Sequence, residues 1–118
     1  MRVFVADDSK PVRERLLSVL GDIPGVEVVG EAEDALAARV LITALQPDVV
    51  ILDINMPGGS GIEVLREIKG QSPAPTVIML TNHSQPQYKK RGLEAGADFF
   101  LDKSTEFEQI RDILRSGG

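Results

Sequence analysis

The sequence contains no cysteine and no tryptophan, and its aromatic residues are one tyrosine and four phenylalanines among 118 residues. The absence of cysteine excludes disulfide frameworks, thiol catalysis and zinc ribbons. No apolar run approaches the roughly 20 residues that span a bilayer. The N-terminus, MRVFVADDSK, has no apolar stretch long enough for a secretory signal. These absences favour a cytoplasmic protein without a membrane segment.

Basic residues are scarcer than acidic ones, with 13 lysines and arginines against 18 aspartates and glutamates and a net charge of −5. This balance argues against a protein that binds nucleic-acid phosphates directly. A chain of this length is the usual size of one domain with its own core. We therefore expect a single domain over residues 1–118.

Short apolar runs alternate with amphipathic stretches along the chain. Strands are predicted at residues 3–6, 26–30, 48–52, 76–80 and 97–101. Helices are predicted after the N-cap Ser9 as far as Gly21, at 33–46, after the N-cap Ser60, at 85–95 and from about 105. The helix at 33–46 has Leu36, Val40, Ala44 and Leu45 at helical spacing, whereas the helix at 85–95 has few apolar residues.

Five strand–helix repeats predict a parallel sheet with right-handed crossovers. The expected architecture is an α/β fold, an open doubly wound (βα)5 sheet with strand order 2-1-3-4-5, as in flavodoxin-like proteins. In such sheets, functional residues lie at the carboxyl ends of the strands.

Three carboxylates follow two strands that are neighbours in this order. Asp7 and Asp8 end the first strand, and Asp53 ends the third. Two like charges about 4 Å apart repel by roughly 4 kcal/mol at an effective dielectric constant near 20, so either one acid is protonated or a cation binds. An all-oxygen site suits a hard divalent ion such as Mg²⁺.

Thr81 ends the fourth strand, and Lys103 follows the fifth. The Lys103 ammonium is a suitable partner for a phosphate group, and the Thr81 hydroxyl can hydrogen-bond a phosphoryl oxygen. Asp53 would then act as the nucleophile. Each residue alone is more often a turn residue, a helix cap or a surface lysine, so only their combination favours phosphoryl chemistry.

These motifs resemble, over the whole chain, the receiver domain of two-component response regulators. The matching residues are Asp7-Asp8, Asp53-Ile54-Asn55-Met56-Pro57 with Gly61, Thr81 and Lys103. The resemblance implies that Asp53 accepts a phosphoryl group from a phosphohistidine on a sensor histidine kinase or a histidine phosphotransfer protein. It also implies Mg²⁺ as cofactor, with Asp8 and Asp53 as direct ligands, Asp7 mostly acting through water, and Asn55 contributing its backbone carbonyl.

The resemblance further implies a conformational switch. Lys103 would pair with the phosphoryl oxygens, and Thr81 would move toward them. Phe100 matches the switch aromatic that moves inward to fill the space that Thr81 leaves. Its neighbour Phe99 points to the opposite face of the strand, so only one of the two can be the switch.

The expected output surface is the α4-β5-α5 face, formed by the helix at 85–95, the strand at 97–101 and the last helix, where a downstream protein would bind. The run Tyr88-Lys89-Lys90-Arg91 on this face is either a solvated helix surface or a docking patch for an acidic partner. We expect a signalling switch, monomeric or dimerising on phosphorylation. It would not be an enzyme in the usual sense, since it catalyses only its own phosphorylation and slow dephosphorylation.

Four positions depart from the family pattern or adjust it. Ser104 stands where the family commonly has a proline in a cis peptide, so we expect a trans bond or an adjusted loop. Asn82 replaces a small residue and should narrow access to the phosphoryl group. Asn55 and His83 are expected to tune the phosphoryl lifetime, although His83 could be an ordinary loop residue.

Three other interpretations stay open. The chain ends at Ser116-Gly117-Gly118, directly after the last predicted helix. This favours a stand-alone receiver, but a receiver fragment of a longer transcriptional regulator would end in the same place. A flavodoxin-like cofactor binder would need more aromatic residues and a Ser/Thr-rich phosphate loop. An aspartyl-nucleophile hydrolase would need a second acid where Asn55 stands.

Overall fold

Parallel pairing of five strands organises the computed structural model, which describes residues 1–82 and 85–117. The strands of this sheet are β1 (Arg2–Ala6), β2 (Glu27–Ala32), β3 (Val49–Leu52), β4 (Thr76–Thr81) and β5 (Phe99–Asp102). Asn55–Met56 and Gly59–Ser60 form a separate antiparallel pair of two-residue strands. The helices are α1 (Lys10–Gly21), α2 (Ala35–Leu45), α3 (Gly61–Lys69), α4 (Pro86–Glu94) and α5 (Gln109–Arg115). The sheet order is β2-β1-β3-β4-β5, which confirms the predicted flavodoxin-like α/β fold.

The helices cover the sheet on both faces and create two cores. One core contains buried residues of α1 and α5, and the other contains buried residues of α2 and α3, with Tyr88 of α4 packed against it. The central strand β3 contributes to both, since Val50 and Leu52 face one core while Val49 and Ile51 face the other. Burial on both faces explains why this strand is a continuous apolar run.

The predicted caps begin two of the helices. The Ser9 hydroxyl accepts a hydrogen bond from Val12 N at 3.4 Å, and the Ser60 hydroxyl accepts one from Ile62 N at 3.1 Å. Asp34 caps α2 by accepting from Ala37 N at 2.7 Å. Because Asp34 is the cap, α2 begins at Ala35 and not at residue 33 as predicted.

The start of α5 was predicted too early. The carboxylate of Asp102 accepts hydrogen bonds from Ser104 N at 2.7 Å and from Thr105 N at 3.2 Å. These bonds hold the segment after β5 in turns, so the helix begins at Gln109. Within residues 1–82 and 85–117 the one cis peptide joins Ser72 and Pro73, so the Lys103–Ser104 bond is trans, as expected.

Leu36 and Val40, two of the apolar residues whose spacing predicted α2, lie on its outer side, whereas Leu45 of the same set packs against the core. Leu36 is 65% exposed and Val40 is 58% exposed, whereas Ala35, Ala38 and Ile42 are buried. Alanine makes both faces of this helix apolar, so hydrophobic spacing alone could not identify the inner one.

Helix α4 is weakly attached, as its composition predicted. Gly92 is buried, whereas every other residue of this helix is exposed or half-buried. By contrast, α3 buries Gly61, Ile62, Val64, Leu65 and Ile68. No helix in the described ranges is long and apolar enough to cross a membrane.

Gly61 lets α3 begin directly against the end of β3. Its N–H donates to the carbonyl of Ile54 at 2.6 Å. A Cβ at this position would overlap the backbone carbonyl oxygen of Asp53, which is not a flexible group. The glycine therefore fixes the distance between α3 and the residue that follows β3.

We predict that Gly61→Ala lowers the free energy of unfolding by about 3 kcal/mol, because the backbone at Asp53 or the start of α3 must shift. Urea denaturation measures this change. The matched control is Gly21→Ala, since a Cβ there meets nothing within 4 Å. That variant should be unchanged or more stable by up to about 1 kcal/mol. Equal stabilities for the two variants would contradict the packing argument.

Candidate functional site

The carboxyl ends of β1 and β3 place two aspartates side by side. The strands pair in register from Val3 opposite Val49 to Ala6 opposite Leu52. The backbone pairing extends one residue further, because Asp53 N donates to Ala6 O at 3.0 Å. Asp7 N likewise donates to Ala32 O of β2 at 3.0 Å. Sheet hydrogen bonds therefore fix the main chain of both acids.

The three predicted acids form one cluster. A carboxylate oxygen from each of Asp7, Asp8 and Asp53 lies within 4.8 Å of the other two. Asp7 is 2% exposed and Asp53 is 5% exposed, whereas Asp8 is open to solvent. A crevice of about 220 Å³ lies beside the cluster and is lined by Asp8 and Asp53 together with Asn55, Asn82 and Lys103. The cluster thus has a buried base and one accessible edge.

Lys103 bridges the two buried acids. Its Nζ lies 2.7 Å from Asp7 Oδ2 and 3.2 Å from Asp53 Oδ2. Burial lowers the pKa of Lys103, but the hydrogen bond to Asp7 and the charges of both aspartates outweigh it, so the pKa is raised. The side chain therefore stays a charged ammonium between the two carboxylates.

Several opposing effects act on the pKa of the buried Asp53 carboxyl group. Burial raises the pKa of its carboxyl group, the Lys103 charge lowers it, and the Asp7 charge raises it again, with a net upward shift. Ile54 N donates to Oδ1 at 2.8 Å, and the Thr81 side chain also hydrogen-bonds this carboxylate. Thr81 is fully buried, and its carbonyl accepts from Lys103 N at 3.0 Å.

The residues present suit a divalent cation. Three carboxylates and one ammonium leave two formal negative charges around the crevice. The available ligands are oxygen atoms, which hard cations such as Mg²⁺ prefer. Burial is the main cause that raises the pKa of Asp53, and it outweighs the opposing effect of the Lys103 charge. Added positive charge beside Asp8 and Asp53 would offset the remaining negative charge.

The structure also places the predicted switch residues. Phe100 is buried and Phe99 is half-buried, so Phe100 takes the side that faces α4. Its ring lies against Gly92, where an added Cβ would come within 2.8 Å of a ring carbon. Asn55 lines the crevice, as predicted for a residue beside the acids. His83, the second residue expected to tune the lifetime, lies outside the described residues.

Two contacts to Asp7 were not predicted from the sequence. Arg13 Nη1 donates to the Asp7 carbonyl at 2.6 Å, and Ser9 N donates to Asp7 Oδ1 at 2.9 Å. Ser9 was recognised only as a helix cap. Arg13 lies one helical turn after Ser9, so the phase of the predicted helix could have placed its side chain beside this loop.

Comparison with known proteins agrees with this geometry. The chain matches the response regulator receiver domain family over residues 3–115, and it belongs to that family. Among solved structures, the signal receiver domain of the putative response regulator NarL from Mycobacterium tuberculosis superposes with a TM-score of 0.90. That structure is 34% identical, with 98% of this chain and 94% of the other covered. The response regulator domain of Thermotoga maritima CheB gives a TM-score of 0.84 at 34% identity, covering 99% and 92%.

Curated relatives have different overall activities. The DNA-binding transcriptional activator DevR/DosR of Mycobacterium tuberculosis is 30% identical over all of this chain and 54% of its own length. Protein-glutamate methylesterase/protein-glutamine glutaminase 2 of Burkholderia thailandensis is 44% identical over 82% of this chain and 28% of its own. The chain thus spans about half, or less, of the length of these relatives. Receiver domains of response regulators interact with histidine kinases and downstream effectors.

The raised pKa of Asp53 predicts how stability depends on pH. Between the unfolded and folded pKa values the folded state binds more protons, so the free energy of unfolding falls as pH rises through this window. Asp53→Asn removes the buried charge and should stabilise the Mg²⁺-free protein at pH 7 by about 1 kcal/mol. The gain should shrink as pH falls through the raised pKa.

Urea denaturation of both proteins from pH 7 to pH 4 measures this difference. The control is Asp112→Asn, which changes an exposed carboxylate on α5 and should track the wild type. A variant less stable than the wild type at pH 7, or a gain that grows in acid, would contradict the assigned cause.

Proposed function

We propose that this chain is a phosphorylation-activated switch in which Asp53 accepts a phosphoryl group from a phosphohistidine. The donor would be a sensor histidine kinase or a histidine phosphotransfer protein. One observation carries the proposal: the 5%-exposed Asp53 carboxylate lies within 4.8 Å of carboxylate oxygens of Asp7 and Asp8 and 3.2 Å from the ammonium of Lys103. This arrangement suits an oxygen nucleophile that must meet an anionic group.

The proposed transfer forms one bond and breaks another. A carboxylate oxygen of Asp53 attacks phosphorus, and the bond between phosphorus and the imidazole nitrogen breaks. The imidazole nitrogen keeps the electron pair and takes up a proton, while Asp53 becomes an acyl phosphate. Lys103 Nζ lies 3.2 Å from Asp53 Oδ2, and it would pair with a phosphoryl oxygen once Asp53 carries the phosphoryl group.

Asp8, Asp53 and the Asn55 main-chain carbonyl would hold Mg²⁺, with Asp7 acting mostly through water. When bound, the ion supplies positive charge that offsets the phosphoryl oxygens. Asp8 suits this role because its carboxylate is exposed beside the crevice, whereas Asp7 already accepts hydrogen bonds from Lys103 and Ser9.

The signal would leave the site through Thr81 and Phe100. Thr81 hydrogen-bonds Asp53 now and would turn toward the phosphoryl group, and Phe100 packs against Gly92 of α4. The output surface would be the α4-β5-α5 face, where Lys89 and Lys90 are exposed and could meet an acidic downstream protein.

Residues 1–118 would form one domain in the cytoplasm, monomeric or dimerising on phosphorylation. The domain would act either alone or as the receiver part of a longer regulator. Turnover would be limited to the domain's own phosphorylation and slow dephosphorylation. Family membership favours this role over a cofactor binder or an aspartyl hydrolase.

We predict that acetyl phosphate adds one phosphoryl group to the wild-type protein when Mg²⁺ is present, and that Asp53→Asn abolishes this mass gain. Intact-protein mass spectrometry measures it. Asp48→Asn is the matched control. Asp48 precedes β3 at the opposite end of the strands from Asp53, and its carboxylate accepts a hydrogen bond from Arg2 N. This control should be labelled normally. Unlabelled wild type, or labelled Asp53→Asn, would overturn the proposal.

Asn82 lines the crevice above Asp53 and is exposed. We predict that Asn82→Ala widens this opening and shortens the lifetime of the phosphorylated form by about threefold, which is less than 1 kcal/mol in the barrier. Loss of the phosphoryl mass over time measures the lifetime. Asn55→Ala should also change the lifetime without abolishing labelling. Lifetimes equal to the wild type in both variants would show that neither side chain controls hydrolysis.

A further inference from the structure

Arg13 connects the acid cluster to the edge strand β2. Its Nη1 donates to the backbone carbonyl of Asp7 at 2.6 Å. Its Nε lies 3.5 Å from Glu31 Oε1, and its Nη2 lies 3.7 Å from Glu33 Oε2. The side chain is only 13% exposed. A single guanidinium thus spans from the β1–α1 loop to the end of β2.

The Arg13 contact completes the fixation of Asp7. The N–H of Asp7 donates to Ala32 O, its Oδ1 accepts from Ser9 N, and its Oδ2 lies 2.7 Å from Lys103 Nζ. The carbonyl is the remaining polar group of this residue, and Arg13 binds it. A short bond from a charged donor is stronger than one between neutral groups.

Fixing this carbonyl also orients the next residue. The carbonyl of Asp7 and the N–H of Asp8 belong to one planar peptide unit. Rotation of that plane would turn the Asp8 backbone and move its carboxylate away from the oxygens of Asp7 and Asp53. Asp8 is the exposed member of the cluster, so neighbouring side chains restrain it least.

We infer that Arg13 is a positioning residue for the cation site: it sets the Asp7–Asp8 peptide plane so that the Asp8 carboxylate faces the crevice. Glu31 and Glu33 orient the guanidinium from the far side. The inference rests on the proposed function, since it concerns the Mg²⁺ site of that function. Arg13 itself touches neither the cation nor the phosphoryl group.

Arg13→Met keeps most of the side-chain volume but removes the donor. We expect it to raise the Mg²⁺ dissociation constant about tenfold, as is common when a residue that supports a metal ligand is lost. The readout is the Mg²⁺-induced shift of the Asp8 and Asn55 backbone amide signals in nuclear magnetic resonance titrations. In acetyl phosphate labelling, the Mg²⁺ concentration for half-maximal rate should rise, while the rate at saturating Mg²⁺ stays near that of the wild type.

Two further variants separate positioning from general stability. Arg13→Lys retains a cationic donor and should recover part of the affinity. Arg15→Met changes an exposed arginine on the same helix, which pairs with Glu108 and lies 3.8 Å above the Phe107 ring. It should leave the Mg²⁺ affinity unchanged. The double variant Glu31→Gln/Glu33→Gln leaves Arg13 in place and should weaken Mg²⁺ binding two- to threefold.

The outcomes distinguish this inference from the proposed function. Wild-type Mg²⁺ affinity in Arg13→Met, or an equal loss in Arg15→Met, overturns the positioning role. If Arg13→Met does not fold, unchanged affinity in the double variant overturns it instead. A wild-type protein that binds Mg²⁺ but is never phosphorylated contradicts the proposed function. In that case, a tenfold lower Mg²⁺ affinity in Arg13→Met would still support the positioning role.

Discussion

The two contacts of the Lys103 ammonium, with Asp7 and with Asp53, are the interaction on which the rest of the site depends. Two almost fully buried carboxylates on adjacent strands would repel each other strongly without an intervening cation. Lys103 comes from the far side of the sheet, since β4 lies between its own strand and β3. With strands spaced about 4.8 Å apart, its extended side chain must cross the end of β4 to reach both acids.

The Lys103 side chain crosses the sheet at the end of β4, where Thr81 lies. Thr81 is the last residue of β4, its carbonyl accepts from Lys103 N, and its side chain hydrogen-bonds Asp53. A change in the charge or size of the Asp53 carboxylate therefore reaches both Thr81 and Lys103 directly. Because these two residues lie at the ends of neighbouring strands, the proposed chemistry at Asp53 would reach β4 and β5 without any long-range mechanism.

Much of the fold could be predicted from the sequence because β1, β3, β4 and β5 contain apolar runs that stop at a polar residue. The acids after β1 and β3, Thr81 and Lys103 identified the edge of the sheet that carries the site. Contacts between distant segments were not predictable in this way. The turn that Asp102 imposes before α5 and the outward side of α2 depend on side-chain placement, not on periodicity. The contacts of Arg13 with Glu31 and Glu33 depend on where β2 ends relative to α1.

Helices α3 and α4 pack against the same sheet with different numbers of buried side chains. This difference determines which of the two helices can move in response to a change at Asp53. Helix α3 is held by several buried aliphatic side chains and by the close contact of Gly61 with the end of β3. Helix α4 buries only its glycine among its described residues, and the Phe100 ring lies directly against that glycine. A shift of Phe100 would therefore press on the α4 backbone, since no side chain lies between them. Because few buried contacts hold α4, moving this helix costs less free energy than moving α3. The proposed switch thus needs no special hinge, only a rigid helix and a loose helix on the same sheet.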